Sequence, residues 1–240
     1  MILLKRSRRP NRIILKGRVD LVTGADLAAE KYITREISRS YPDHSILAEE
    51  SSLHDNHSEF RWVVDPLDGT TNFAHRFPFY CVSIGLEYRG EMIVGAIYDP
   101  ERRELFSACK GGGARLNGKN IRVSSTRSLE KALLATGFPY DIGSSREDNL
   151  KQFNRFAKVA RGIRRAGSAA LDLCYLACGR FDGFWELKLH PWDTAAGKII
   201  VEEAGGKFTD FAGEKYSIYG KYMMASNGRI HRQMLEILNK

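Results

Sequence analysis

At 240 residues, with 43% hydrophobic and 28% charged side chains, the chain has the composition of an ordinary globular protein with room for one large domain or two small ones. No apolar run reaches bilayer length, which argues against a membrane protein, and Cys81, Cys109, Cys174 and Cys178 lie in apolar or strand-like contexts with no secretory signal, which points to free thiols in the cytoplasm. Six of the eight net positive charges come from Lys5, Arg6, Arg8, Arg9, Arg12 and Lys16, so residues 1–16 form a basic arm on a nearly balanced body, read as a solvated tail, with contact to nucleic acid or anionic lipid as the other reading.

Along the chain, Thr23-Gly-Ala-Asp26 resembles a capping box opening a helix whose apolar face is Ala29, Tyr32, Ile33 and Ile37, ending before Pro42. Residues 61–65 read as a buried strand, followed by strands at 82–88 and 92–98, the ELFSA run, and an Asn117-Gly118 hairpin before the strand-like IRV. This middle is antiparallel in character. Leu150, Phe153 and Ala157 mark a further helix, and residues 167–179 read as a buried helix, apolar nearly all round and stopped by Gly179. Then come a strand at 181–187, a helix from Ala195 to Ala204 with Asp193 as its N-cap, and an amphipathic helix on Ile230, Met234, Ile237 and Leu238. Mixed order of helices and strands predicts layered α/β (α+β) architecture, not a purely parallel βαβ fold.

Five acids stand at element boundaries beside apolar sequence: Asp26, Glu49, Asp65, Asp68 and Asp193. Singly each has a plain reading: a capping-box acid, an exposed loop, a polar turn, an N-cap. Buried together they need hydrogen bonds, cations or a metal. An all-oxygen set suits a hard ion such as Mg²⁺. Pro66 would bend the chain so that Asp65 and Asp68 converge, leaving the Leu67 carbonyl as a further ligand, and Gly69-Thr70-Thr71 would turn backbone N–H groups towards an anion, most often a phosphate.

The segments WVVDPLDGTTNFAHRFPF and HPWDTAAGKIIVEEAGG resemble the two signatures of the inositol monophosphatase family of Mg²⁺-dependent, lithium-sensitive phosphatases. DLVTGAD (20–26), SILAEES (45–51), the Asn-Gly hairpin, GIRRAGSAALDLC (162–174) and FWELKLHPWD (185–193) extend the match in the same order. The resemblance implies a layered αβαβα sandwich, with the N-terminal helix shortened, as one catalytic domain over 17–240 with halves of about 17–145 and 146–240. It implies two to three Mg²⁺ ions per site. Glu49, Asp65 and the Leu67 carbonyl would hold one, and Asp65, Asp68 and Asp193 the second, with Glu49 also reaching a weaker third. Gly69 and Thr70 would bind the phosphate through N–H groups, and Asp26 with the Thr70 hydroxyl would orient and deprotonate a metal-bound water. Ala169, Glu186 and Asp68 would contact the polyol; for Glu186 the other reading is an ion pair with Lys188. Arg164 and Arg165 could face a substrate anion or a dimer partner.

The expected activity is hydrolysis of inositol 1-phosphate and related small sugar or polyol phosphates by a homodimeric enzyme. A fructose-1,6-bisphosphatase or dual-specificity enzyme is the alternative within the fold, and an RNA- or transcription-associated regulatory member the alternative outside it.

Overall fold

The structure, a computed structural model, describes residues 2–7, 13–15, 21–51 and 53–240. Residues 8–12 and 16 of the expected arm, and Asp20 of the DLVTGAD segment, lie outside these. The chain begins with α1 (Ile2–Ser7), β1 (Ile13–Leu15) and β2 (Leu21–Thr23), the two strands forming an antiparallel ribbon. Leu3 is buried against Ala25, Ala29, Leu67, Phe73 and Tyr80, and Arg6 donates to the Gly24 carbonyl at 2.7 Å. This part of the basic arm is therefore packed, where the sequence suggested a solvated tail: Leu3 offers enough apolar surface to seat one short turn of helix.

The α2 helix (Gly24–Ser40) opens on the capping box that the sequence announced. Thr23 Oγ1 accepts from Ala25 N at 3.1 Å, while Asp26 Oδ2 accepts from Thr23 N at 2.8 Å. Next come β3 (Ser45–Ala48), β4 (Phe60–Asp68), α3 (Thr70–Ala74), β5 (Cys81–Tyr88), β6 (Glu91–Asp99), β7 (Glu104–Cys109), β8 (Ala114–Leu116) and β9 (Lys119–Asn120). The strands make a seven-stranded sheet in chain order, antiparallel except for the parallel β3–β4 pair. The Asn117-Gly118 turn has positive φ at both residues (48° and 80°), as a type I′ hairpin requires. Residues 121–123 continue past β9 without joining the sheet as a strand.

The second sheet has five strands in the order β11-β10-β12-β14-β13, built from β10 (Leu133–Thr136), β11 (Gly162–Arg164), β12 (Gly183–Leu187), β13 (Lys207–Thr209) and β14 (Tyr222–Ser226). Both neighbours of β10 run parallel to it, so this sheet is mixed. The passage between sheets falls between Asn120 and Leu133. Around the sheets lie α4 (Leu150–Ala157), α5 (Ala169–Ala177), α6 (Pro191–Glu203) and α7 (His231–Leu238).

Three apolar clusters define the layering. Ile37 of α2 packs on Ile46, Ala48 and Val64 of the seven-stranded sheet. On the opposite face of that sheet, Val63, Ile97 and Phe106 join Leu171, Leu173, Ile199 and Ile200 of α5 and α6, and Phe184 and Ala225 of the second sheet. Beyond it, Leu134, Trp185 and Met224 meet Phe156 of α4 and Met234 of α7. The order is helix, sheet, helix pair, sheet, helix pair: an αβαβα sandwich. Among the described residues no helix is long and apolar enough to cross a membrane.

Candidate metal-dependent active site

The β4 strand carries the first two acids. On a regular strand, residues three apart point to opposite faces. Here Asp65 opposes Ser83 and Asp68 opposes Cys81, with a register shift between them. Three steps along β4 match two along β5, so one extra residue is accommodated as a bulge. This is the bend expected at Pro66, and it lies inside the strand rather than at its end.

The bulge brings the two carboxylates to one side. Asp193 joins them from α6, and one carboxylate oxygen from each of Asp65, Asp68 and Asp193 can lie within 4.8 Å of the others. Asp193 is not the N-cap. That position is His190, Pro191 fills the first turn, and Asp193 sits at the third helical position, where its Oδ2 accepts from His190 N at 2.7 Å. Proline is pre-set for the start of a helix, which moves the beginning four residues ahead of the expected Ala195. Glu49, just past β3, stands outside the tight triplet. It is half-buried in the wall of the same cavity, and its charge acts on Asp65 and Asp193.

None of the three clustered aspartates forms an ion pair with Lys or Arg among the described residues. Burial, reinforced by repulsion from neighbouring carboxylates, pushes Asp65 and Asp193 well above the usual carboxylate range. Burial also raises Asp68, although hydrogen bonds from Ser168 and Ala170 oppose it. A largely buried, mutually repelling, all-oxygen set of this kind fits a hard divalent cation, which would replace the missing positive charge.

Beside the cluster, Gly69 adopts φ 89° and ψ 36° and opens the single-turn helix α3. A Cβ there would meet the Phe79 carbonyl oxygen at 2.9 Å, so both the left-handed backbone and the close approach demand glycine. The TTNF stretch is thus helical, and its first residue, Thr70, points its hydroxyl at two acceptors: Leu67 O at 3.0 Å and Asp26 Oδ1 at 3.3 Å. The Leu67 carbonyl is therefore not wholly free, as the sequence reading had it, although a carbonyl keeps a second lone pair. Asp26 is held through Oδ2 by Thr23, and burial lifts its carboxyl above the ordinary value against these hydrogen bonds.

A cavity of about 330 Å³ opens from the cluster, with Glu49, Asp68, Ala169, Glu186 and Asp193 in its wall. Glu186, on β12, is raised to about 8 by burial. The reading of Glu186 as a partner of Lys188 does not hold: Lys188 instead binds Asp141 and Ser145, at 2.6 Å and 2.8 Å. Arg165 also lines the cavity, while Arg164 is exposed on β11.

Two wall residues escaped the sequence reading. Ser168 caps α5 and donates to Asp68 Oδ2, and Asp172 sits in the first turn of α5, buried. For Ser168 the signal was a small hydroxyl residue ahead of an apolar run. For Asp172 it was an acid inside a helix otherwise apolar on every face.

The family model described as the Inositol monophosphatase family matches residues 2–240. Phosphatase IMPL1, chloroplastic, of Arabidopsis thaliana is 42% identical over 98% of this chain; the chain spans 65% of that relative's length. The Inositol-1-monophosphatase of Synechocystis is 48% identical over 93% of this chain and 78% of its own, and the Escherichia coli protein named Nus factor SuhB 46% over 92% and 83%. Among solved structures, the extragenic suppressor protein suhB from Bartonella henselae superposes with a TM-score of 0.93 at 42% identity, covering 99% of this chain and 93% of that one. An IMPase/NADP phosphatase complexed with Mg²⁺ and phosphate gives 0.85 at 26% identity, covering 99% and 88%. Fold, bulged acid pair and whole-length match agree: this chain belongs to the inositol monophosphatase family.

Proposed function

We propose that the protein is a Mg²⁺-dependent phosphomonoesterase acting on inositol 1-phosphate and related small sugar or polyol phosphates. The observation that carries this is the clustered triplet of buried Asp65 and Asp68 with half-buried Asp193, without a basic partner among the described residues and open to a cavity of sugar size. Asp65, Asp68 and Asp193 would hold one ion, and Glu49, Asp65 and the Leu67 carbonyl a second, with Glu49 reaching a weaker third. Bound Mg²⁺ supplies charge neutralisation on phosphoryl oxygens and a lowered pKa for water.

The chain's own groups supply the rest. Gly69 and Thr70 offer N–H groups at the opening of α3 to the phosphate. Asp26, whose carboxyl burial lifts above the ordinary value, accepts from the Thr70 hydroxyl at 3.3 Å, an arrangement suited to orienting a water and taking its proton. Glu186, Ala169 and Asp68 present the wall against which the polyol sits, and the buried Glu186 carboxyl can pair with neighbouring hydroxyls. A cytoplasmic homodimer is the assembly and location that the family resemblance supports.

The test is phosphate release from inositol 1-phosphate, fructose 1,6-bisphosphate, glycerol phosphate and adenosine 3′,5′-bisphosphate, with Mg²⁺, with chelator and with lithium. Inositol 1-phosphate should be preferred, and lithium inhibitory. Preference for the sugar bisphosphate would move the protein to the bisphosphatase alternative. The name of the Escherichia coli relative favours a second reading, association with the transcription machinery, checked by RNA binding in the absence of substrate.

A further inference from the structure

Asp172 has no place in the chemistry just described, yet it lines the same cavity and is only 2% exposed. Its Oδ1 is a buried carboxyl oxygen without a hydrogen-bond partner. It stands four residues after Ser168, whose hydroxyl holds Asp68. Glu186 faces the same cavity from β12, within electrostatic reach of Asp172. Arg165 is the cation nearest in effect, and it forms no ion pair with either carboxyl among the described residues.

A buried acceptor without a donor destabilises the protein that contains it. The unpartnered Asp172 oxygen and the Glu186 carboxyl converge on one cavity, and a polyol brings several hydrogen-bond donors to it. A second phosphate at this end would instead meet two acids and a single guanidinium. We propose that Asp172 is a specificity-determining residue whose carboxyl accepts a hydrogen bond from a hydroxyl of the leaving alcohol, beside Glu186, selecting hydroxylated monoesters over bisphosphates and over esters without hydroxyls. This rests on the phosphatase reading above.

The experiment compares the wild-type protein with Asp172→Leu and Asp172→Ala on inositol 1-phosphate and on p-nitrophenyl phosphate, which has no hydroxyl to offer. Loss of one hydrogen bond to a carboxylate should raise KM for inositol 1-phosphate about tenfold in the leucine variant. Activity on p-nitrophenyl phosphate should stay at the wild-type level, and melting in chelator should occur no lower than wild type, because an unpaired buried oxygen has been removed. Equal losses on both esters, or no change on either, would overturn the proposal. Should the leucine variant not fold, the smaller alanine variant, which has no acceptor and suits a helix interior, carries the test through calorimetric binding of free inositol, weakened if the proposal holds and unchanged if it does not. A wild-type protein that hydrolyses neither ester with Mg²⁺ would instead bring down the phosphatase reading itself.

Discussion

Asp68 Oδ2 accepts a hydrogen bond from Ser168 Oγ at 2.5 Å, joining residues 100 positions apart in the chain. The same carboxylate oxygen accepts from Ala170 N at 2.8 Å. An acid proposed as a metal ligand is thus tied to the N-terminus of the helix that separates the two sheets, and one of its oxygens is committed before any ligand arrives. Ser168→Ala removes both this anchor and the α5 cap. Expected outcomes are a stability loss of about 1 kcal/mol and Mg²⁺ affinity lowered about 10- to 100-fold. Denaturant unfolding and metal titration measure the two separately.

The triplet of clustered aspartates predicts opposite effects with and without metal. Asp65→Asn and Asp193→Asn each remove one of the mutually repelling acids while leaving an oxygen to accept from Leu67 N or His190 N. In chelator both variants should melt at or above the wild-type temperature. Added Mg²⁺ should raise the wild type but not the variants, and phosphate release should vanish. Scanning calorimetry with and without Mg²⁺ checks this, and a variant that gains stability from Mg²⁺ as the wild type does would refute the ligand assignment.

Glu186 lies directly over Gly137, where a Cβ would fall 2.0 Å from its Oε1. The obstacle is the far end of a flexible side chain, so Gly137→Ala should fold normally and displace the carboxyl from the cavity wall. Turnover of polyol phosphates should fall about tenfold, the worth of one hydrogen bond, while p-nitrophenyl phosphate is spared. Steady-state kinetics on the two esters decide it.

The Glu186 carboxyl also leaves a signature in pH. Its folded value of about 8 exceeds the unfolded value of 4.5, so the folded state holds the proton more tightly. That contribution to stability is complete below about pH 4.5 and is lost as pH rises through 8, at up to about 1.4 kcal/mol per unit. In metal-free protein, Glu186→Gln should flatten the decline between pH 4.5 and 8. Urea unfolding of both proteins across that range is the measurement.

The acids themselves were legible, because carboxylates beside apolar runs are costly anywhere else. Their geometry was less so. DPLD reads as the end of a strand because Pro and Asp are poor strand formers, yet β5 pairs with it up to Asp68 through a bulge, a tertiary pairing that local propensity does not contain. Asp193 looked like an N-cap since acids favour that position, but Pro191 had already started the helix. Asp172 was passed over because the apolar surround that makes a buried helix conspicuous also hides the single polar residue within it. Leu3 was lost to its charged neighbours, whose composition dominates a short window.

The placement of the three aspartates has a consequence for how the protein matures. Asp65 and Asp68 belong to the seven-stranded sheet, while Asp193 rides on a helix clamped between both sheets. A chain that has formed only its first sheet has two of the three, and cannot assemble the triplet until the second sheet docks. An ion held by all three would therefore recognise the finished sandwich and not its parts. Because a ligand that binds only the folded state deepens that state by mass action, Mg²⁺ should slow unfolding of the two sheets together, fastening a joint that neither sheet could close alone.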